Sequence, residues 1–273
     1  MILADEDQTV GEIMDTNIIF AETSTDQEEV ANLFKQYELL SLPIVDKEKR
    51  LVGIVTVDDI VDVIEEETTE DISKMHAVTP NQKSYLKTSP FTLWKNRAPW
   101  LLLLMISATF TGLIISKNEA LLSSGVFGIL LTACIPMIMD TGGNAGGQAS
   151  ATIIRGIALN EIEFKDLFKV MLKEFLTGCL LGLTLGVACF GKIMLVDGLI
   201  FKTEGVTVLS ASIISLAMVF AIIIAKLIGC MLPLIAKKCK LDPAVMASPF
   251  ITTIVDAVSL LVYFGIAKSL LGL

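Results

Sequence analysis

Ile138-Met139-Asp140-Thr141-Gly142-Gly143-Asn144-Ala145-Gly146-Gly147-Gln148 closes a long apolar run with a carboxylate, four glycines and two amides. Hydrocarbon penalises such a composition, because an ionised carboxylate is costly there and glycine-rich backbone exposes polar groups that need partners. Stretches of this kind persist at membrane depth where protein or a water-filled cavity satisfies them. The stretch therefore reads as part of an ion or substrate path. Gly142-x-x-x-Gly146 and Gly143-x-x-x-Gly147 also fit close helix packing, which is the plainer alternative.

The rest of the chain fits a membrane setting. Hydrophobic residues make up 53% of the 273 positions, and the mean hydropathy is +0.70, well above an ordinary soluble domain. Charge is divided unevenly: residues 1–90 hold 20 acidic and 7 basic side chains, net −13, while the remainder carries +4. An acidic, water-soluble segment thus precedes a membrane domain. That balance disfavours nucleic acid as a partner and favours cations. Met1 to Gln8 lacks a basic region and an apolar core, so no cleavable signal peptide is expected. The five cysteines lie in or beside apolar segments without a CxxC pair and read as buried filler. His76 is the single histidine and sits in a polar connector. No nucleophile–base pair and no phosphate loop is evident, so an enzyme is not expected.

Five spans of near-bilayer length are expected at about 100–116, 120–139, 175–196, 206–236 and 247–270. The second is expected to break at Pro136 and the glycine motif. Eleven basic residues, Lys83, Lys87, Lys95, Arg97, Arg155, Lys165, Lys169, Lys173, Lys237, Lys238 and Lys240, flank one side, against Lys117, Lys192, Lys202 and Lys268 on the other. This bias predicts a multi-pass plasma-membrane protein with a cytoplasmic N-terminus and an extracytoplasmic C-terminus. Asp256 then lies roughly 10–20 Å into the fifth span at 1.5 Å per residue. Ser248, Thr252, Asp256, Ser259 and Tyr263 recur at helical spacing as one polar stripe. Asp140, Asn144 and Asp256 are expected to share a cavity in the inner half of the bilayer; a neutral structural Asp256 is the alternative. Lys226, inside the fourth span, is expected to snorkel or pair with an acid.

Residues 1–70 are expected as a cytosolic α+β unit with an acidic helix, 71–95 as a connecting helix or linker, and 96–273 as an all-α membrane domain. Within the first, Thr25 and Glu28 suggest a capping box before a helix bearing Val30, Leu33, Phe34 and Tyr37. Two strands, Leu42-Pro43-Ile44-Val45 and Leu51-Val52-Gly53-Ile54-Val55-Thr56, precede a further helix. Asp58, Asp59, Asp62, Glu65, Glu66 and Asp71 then crowd acidic side chains together. Such a run is a solvated face or, through Asp62, Glu65, Glu66 and Asp71, a site bridged by a hard cation such as Mg2+.

Leu-Pro-Ile-Val-Asp at 42–46 and Gly-Ile-Val-Thr-Val-Asp-Asp at 53–59 resemble a CBS repeat across 10–66. By that resemblance Thr56 and Asp59 would hold an adenosine ribose, as in ATP or another adenine nucleotide; helix capping is the plain alternative. Ile2-Leu3-Ala4-Asp5 resembles the tail of a preceding repeat. The order of CBS repeat, acidic linker and five spans, with Thr-Gly-Gly-Asn-Ala-Gly-Gly-Gln at 141–148, Asp242-Pro243-Ala244 and Thr253-Ile254-Val255-Asp256, resembles the MgtE family of magnesium channels, N-terminally shortened. The resemblance implies a homodimer in membrane lipid with one pore between subunits, lined by spans two and five. Asp256 would be the central Mg2+ ligand, Asn144 and Asp140 would bound its site, and Asp242 would lie near the cytoplasmic mouth. The acidic CBS region would sense cytosolic Mg2+. Alternative readings are an ion-coupled secondary transporter of another divalent cation, such as Co2+ or Mn2+, and a non-conducting CBS-type membrane sensor.

Overall fold

The computed structural model describes residues 8–81, 84–246 and 248–271, without the side chains of Val10 and Ser248. Ile2–Asp5, Lys83 and Ala247 therefore lie outside the described residues, as does the first side chain of the polar stripe. The chain forms two compact units that divide between Glu70 and Asp71.

The first unit is a small α/β fold: α1 (Val10–Ile13), β1 (Ala21–Glu22), α2 (Gln27–Tyr37), β2 (Ser41–Val45), β3 (Leu51–Thr56) and the long helix α3 (Val57–Met75), whose last turns pass into the second unit. β2 is central, parallel to the short β1 and antiparallel to β3, with a register shift at Ile44/Val45. The helix–strand–strand–helix order is as expected; β1, two residues long, has too little pattern to be read in advance. Asp26, not Thr25, caps α2: its carboxylate accepts from the Glu28 N–H at 2.9 Å. Thr25 instead turns back, its hydroxyl accepting from the Glu22 N–H at 3.1 Å. The carboxylate is the better acceptor, and it stands one residue nearer the free N–H groups. Val30, Ala31 and Phe34 on one face of α2 pack with Ala21, Leu42 and Ile60 to form the core.

Among the described residues the second unit holds five helices long and apolar enough to cross a membrane. They are α4 (Pro90–Lys117), then after the short α5 (Glu119–Leu122) α6 (Gly125–Ala158), α7 (Leu167–Gly191) with its π-helical extension Lys192–Ile200, α8 (Val208–Lys238) and α9 (Ser248–Leu271). α4 starts ten residues before the expected 100: Ser89 caps it by accepting from the Thr92 N–H, and Pro90 occupies its first turn. Proline is pre-set for that position, where its missing N–H costs nothing, whereas Pro99 is carried inside the helix.

α6 departs from the expectation most. Pro136 and the glycine motif do not end it; the helix runs unbroken to Ala158. At 34 residues it is about 51 Å long, more than the roughly 30 Å of hydrocarbon. Four glycines in a helix lose about 1 kcal/mol each against alanine, and here close packing offsets that loss. Side chains at Gly142, Gly143 and Gly146 would press on α9, and one at Gly156 would strike Ile162. The buried core joins α6, α8 and α9, with Cys189 and Ile193 from the third span. α8 is the most enclosed span and α4 the least.

Candidate ion path

Asp140 and Asn144 stand one turn apart on α6, on the same face, because i and i+4 side chains align. Gly143, between them, lets α9 approach: a Cβ there would sit 3.2 Å from Thr252 Cγ2 and 3.5 Å from Asp256 Oδ1. The two helices thereby enclose a cavity of about 410 Å3 lined by Ile135, Pro136, Met139, Asp140, Gly143, Asn144, Thr252 and Asp256. Asp140, Asn144 and Asp256 thus line one cavity. Within one chain Asp140 and Asn144 remain exposed and Asp256 is partly exposed.

Two carboxylates, an amide and hydroxyl or carbonyl oxygens are hard donors that suit a divalent cation keeping much of its water. Among the described residues lining the cavity there is no thiol or imidazole, and its one sulfur is the Met139 thioether, so the hard oxygen donors predominate. Among the described residues one chain brings two carboxylates, Asp140 and Asp256, to the cavity. Among the described residues no group of three or more His, Cys, Asp or Glu side chains is placed to hold a metal.

The polar stripe of α9 divides by role. Thr252 and Asp256 face the cavity. Ser259 is buried against Gly142, where a Cβ would come within 2.6 Å of its hydroxyl. Tyr263, fully buried, donates its hydroxyl to the Leu131 carbonyl on α6 at 3.0 Å. The upper stripe therefore fastens α9 to α6, and only the lower part meets the cavity.

The remaining candidates lie elsewhere. Asp242 is not in the cavity. Its Oδ1 accepts from the Ala244 N–H at 2.8 Å, capping the short turn Pro243–Met246, and its Oδ2 takes Lys74 Nζ at 2.7 Å. Asp62, Glu65 and Glu66 are exposed along α3, and Asp71 is half-buried farther on. Asp62, Glu65 and Glu66 fall within about one turn of α3, and Asp71 lies more than a turn farther along. At the start of α3 the Thr56 hydroxyl donates to Asp59 Oδ2 at 2.8 Å, so the two residues meet at the strand–helix junction.

Sequence reading missed Glu174, the partner of Lys226. Its Oε2 lies 3.3 Å from Lys226 Nζ, and both side chains are nearly buried between α7 and α8. A signal for its helix face, though not for its partner, was legible. Glu174 begins the row Gly178, Gly182, Gly186 at four-residue spacing, the face of α7 that lies on α8.

Comparison with known proteins agrees with this architecture. Residues 135–266 match the MgtE family model, described as a divalent cation transporter, and residues 10–66 match the CBS domain model. Among curated proteins, the chain is 38% identical to the magnesium transporter MgtE of Thermus thermophilus, covering 99% of this chain and 58% of that protein. It is 34% identical to the magnesium transporters MgtE of Bacillus subtilis and of Enterococcus faecalis, covering 98% of this chain and 57% and 56% of theirs. The chain spans a little over half the length of the curated relatives it matches.

Proposed function

We propose, from the match of residues 135–266 to the MgtE family model of divalent cation transporters and of residues 10–66 to the CBS domain model, that the chain passes Mg2+ through the α6–α9 cavity. The relatives' name, magnesium transporter, supports the ion. The observation that carries the reading is the meeting of Asp140, Asn144 and Asp256 in one oxygen-lined cavity between membrane-length helices.

In this reading two copies face each other across the open side of the cavity, and each contributes Asp256 to one central site. Paired carboxylates attract the cation, while the amides and backbone oxygens hold its water shell, so the ion need not be stripped. Asp140 and Asn144 bound the site, and Asp242 lies towards the cytoplasmic mouth. The N-terminus is cytoplasmic and the C-terminus extracytoplasmic. The CBS region senses cytosolic Mg2+ through Asp62, Glu65, Glu66 and Asp71, where a bound cation relieves repulsion along α3. Thr56 and Asp59 are the contacts offered to an adenine nucleotide such as ATP. No covalent chemistry is assigned to the chain.

The test is Mg2+ uptake in cells lacking their own Mg2+ transporters, comparing the wild-type chain with Asp256→Ala. Rescue by wild type and failure of a normally inserted variant supports the reading. Equal rescue by both removes Asp256 from the path, and rescue by neither leaves the CBS-type sensor as the better account. The family description, divalent cation transporter, also accommodates coupled transport of Co2+ or Mn2+. Flux that requires a second ion gradient would favour that reading.

A further inference from the structure

We propose that Glu174 and Lys226 are a positioning pair for the ion path, fixing α8 between α7 and α6 at the level where α6 presents its cavity residues. The inference rests on the cation-path reading above. Lys226 is 5% exposed and sits in the most enclosed span, where an unpaired ammonium is costly. Its described charge partner is Glu174, at 3.3 Å. The contact is not an aligned hydrogen bond: Glu174 Oε2 and Ser215 Oγ are the two buried side-chain oxygens without a hydrogen-bond partner among the described residues. Its attraction therefore acts through charge.

The pair continues a tight seam. Side chains added at Gly178, Gly182 and Gly186 of α7 would meet Ile223 Cα at 3.2 Å, the Val219 carbonyl oxygen at 3.0 Å and Val219 Cγ2 at 2.6 Å. The knobs of this seam, Val219 and Ile223, come from α8 and meet only glycine on α7, so α7 itself presents little to fix their register. A charge pair at one end fixes it, because the Coulomb gain falls quickly as the partners separate in a low-dielectric setting.

The residues on either side of Lys226 carry the placement to α6. A Cβ on Gly229 would collide with the Gly146 carbonyl oxygen, and one on Gly146 would lie 3.2 Å from the Ala225 carbonyl oxygen. The α8 backbone one residue before and three after Lys226 is thus the surface on which α6 rests. Gly146 follows Asn144 by two residues, and Asp140 is one turn before Asn144. A Cβ on Gly146 would also lie 3.0 Å from Val255 Cγ2, on the residue before Asp256, so a shift of α8 along α7 is passed to the α6–α9 contact beside the cavity.

The test uses the full chain in liposomes at matched, correctly inserted amounts. It reads Mg2+ influx against concentration and the ratio of Mg2+ to Ca2+ influx. Glu174→Gln and Lys226→Met alone are each expected to raise the half-saturating Mg2+ concentration, or to change the ion ratio, by roughly fivefold or more. The neutral double variant E174Q/K226M and the exchange E174K/K226E are expected to recover most of either change. A role in folding alone would lower influx of both ions in proportion to inserted protein and leave half-saturation unchanged, and that result overturns the proposal. So do single variants indistinguishable from wild type, or a double variant no better than the worse single one. A wild-type chain that passes no ion at all overturns the cation-path reading itself, a result separate from failure of the pair.

Discussion

Asp256 and Gly229 illustrate two ways a single residue matters here. Asp256 presents a carboxylate to the cavity it shares with Asp140 and Asn144. Asp256→Asn keeps shape and removes charge, so Mg2+ influx is expected to fall about tenfold or more, equivalent to about 1.4 kcal/mol or more of lost ion stabilisation. Unchanged influx at equal membrane abundance would show that the charge is not used. Gly229 carries no chemistry, yet α6 and α8 approach backbone to backbone at that point. Gly229→Ala forces the helices apart and is expected to destabilise the membrane unit by about 1–3 kcal/mol, measured as a lower melting temperature in detergent. Gly112→Ala, with open space around the added carbon, is the matched control and should melt no lower than wild type.

At the scale of elements, α9 and α2 lend themselves to separate tests. The Tyr263 hydroxyl reaches from α9 to the Leu131 carbonyl of α6 and is clear of the cavity. Tyr263→Phe is expected to cost about 1 kcal/mol of stability while Mg2+ selectivity stays as in wild type. Altered selectivity would place this end of α9 in the path after all. In the CBS unit Asp26→Ala removes the α2 cap and should cost about 1 kcal/mol locally, seen as faster amide exchange across Gln27–Tyr37 in the full chain. Protection unchanged from wild type would mean that Thr25 can take over the cap. α6 shows why a glycine motif that suggests a helix break need not make one. Glycine is a poor helix former alone, but in α6 its missing side chains make the room that α8 and α9 fill, and the packing outweighs the propensity.

For the whole molecule, the open side of the cavity and the exposure of Asp140 and Asn144 support a second copy opposite the first. Asn144→Cys chains in native membranes are expected to cross-link to one another with a short thiol reagent, and added Mg2+ should slow the reaction. Absence of dimers, with Cys239→Ser in the background to remove the exposed native thiol, would count against a pore between copies. Much of this architecture was legible in the residues. Length and hydropathy gave the five spans, period and turn residues gave the helix–strand–strand–helix unit, and an acid in an apolar span marked Asp256, because burying charge in hydrocarbon is too costly to be incidental. Other features depend on which helices touch, which one-dimensional spacing does not encode. The sequence could not separate Asp256 and Thr252 at the cavity from Ser259 and Tyr263 in a helix contact, since all share one stripe. Nor could it pair Lys226 with Glu174, 52 positions earlier, or carry α6 through its glycines. The chain itself determined how much apolar length must cross a membrane and which polar groups need compensation there. Tertiary packing decided which neighbour compensates each one, because a buried charge or a bare backbone is satisfied by proximity in space.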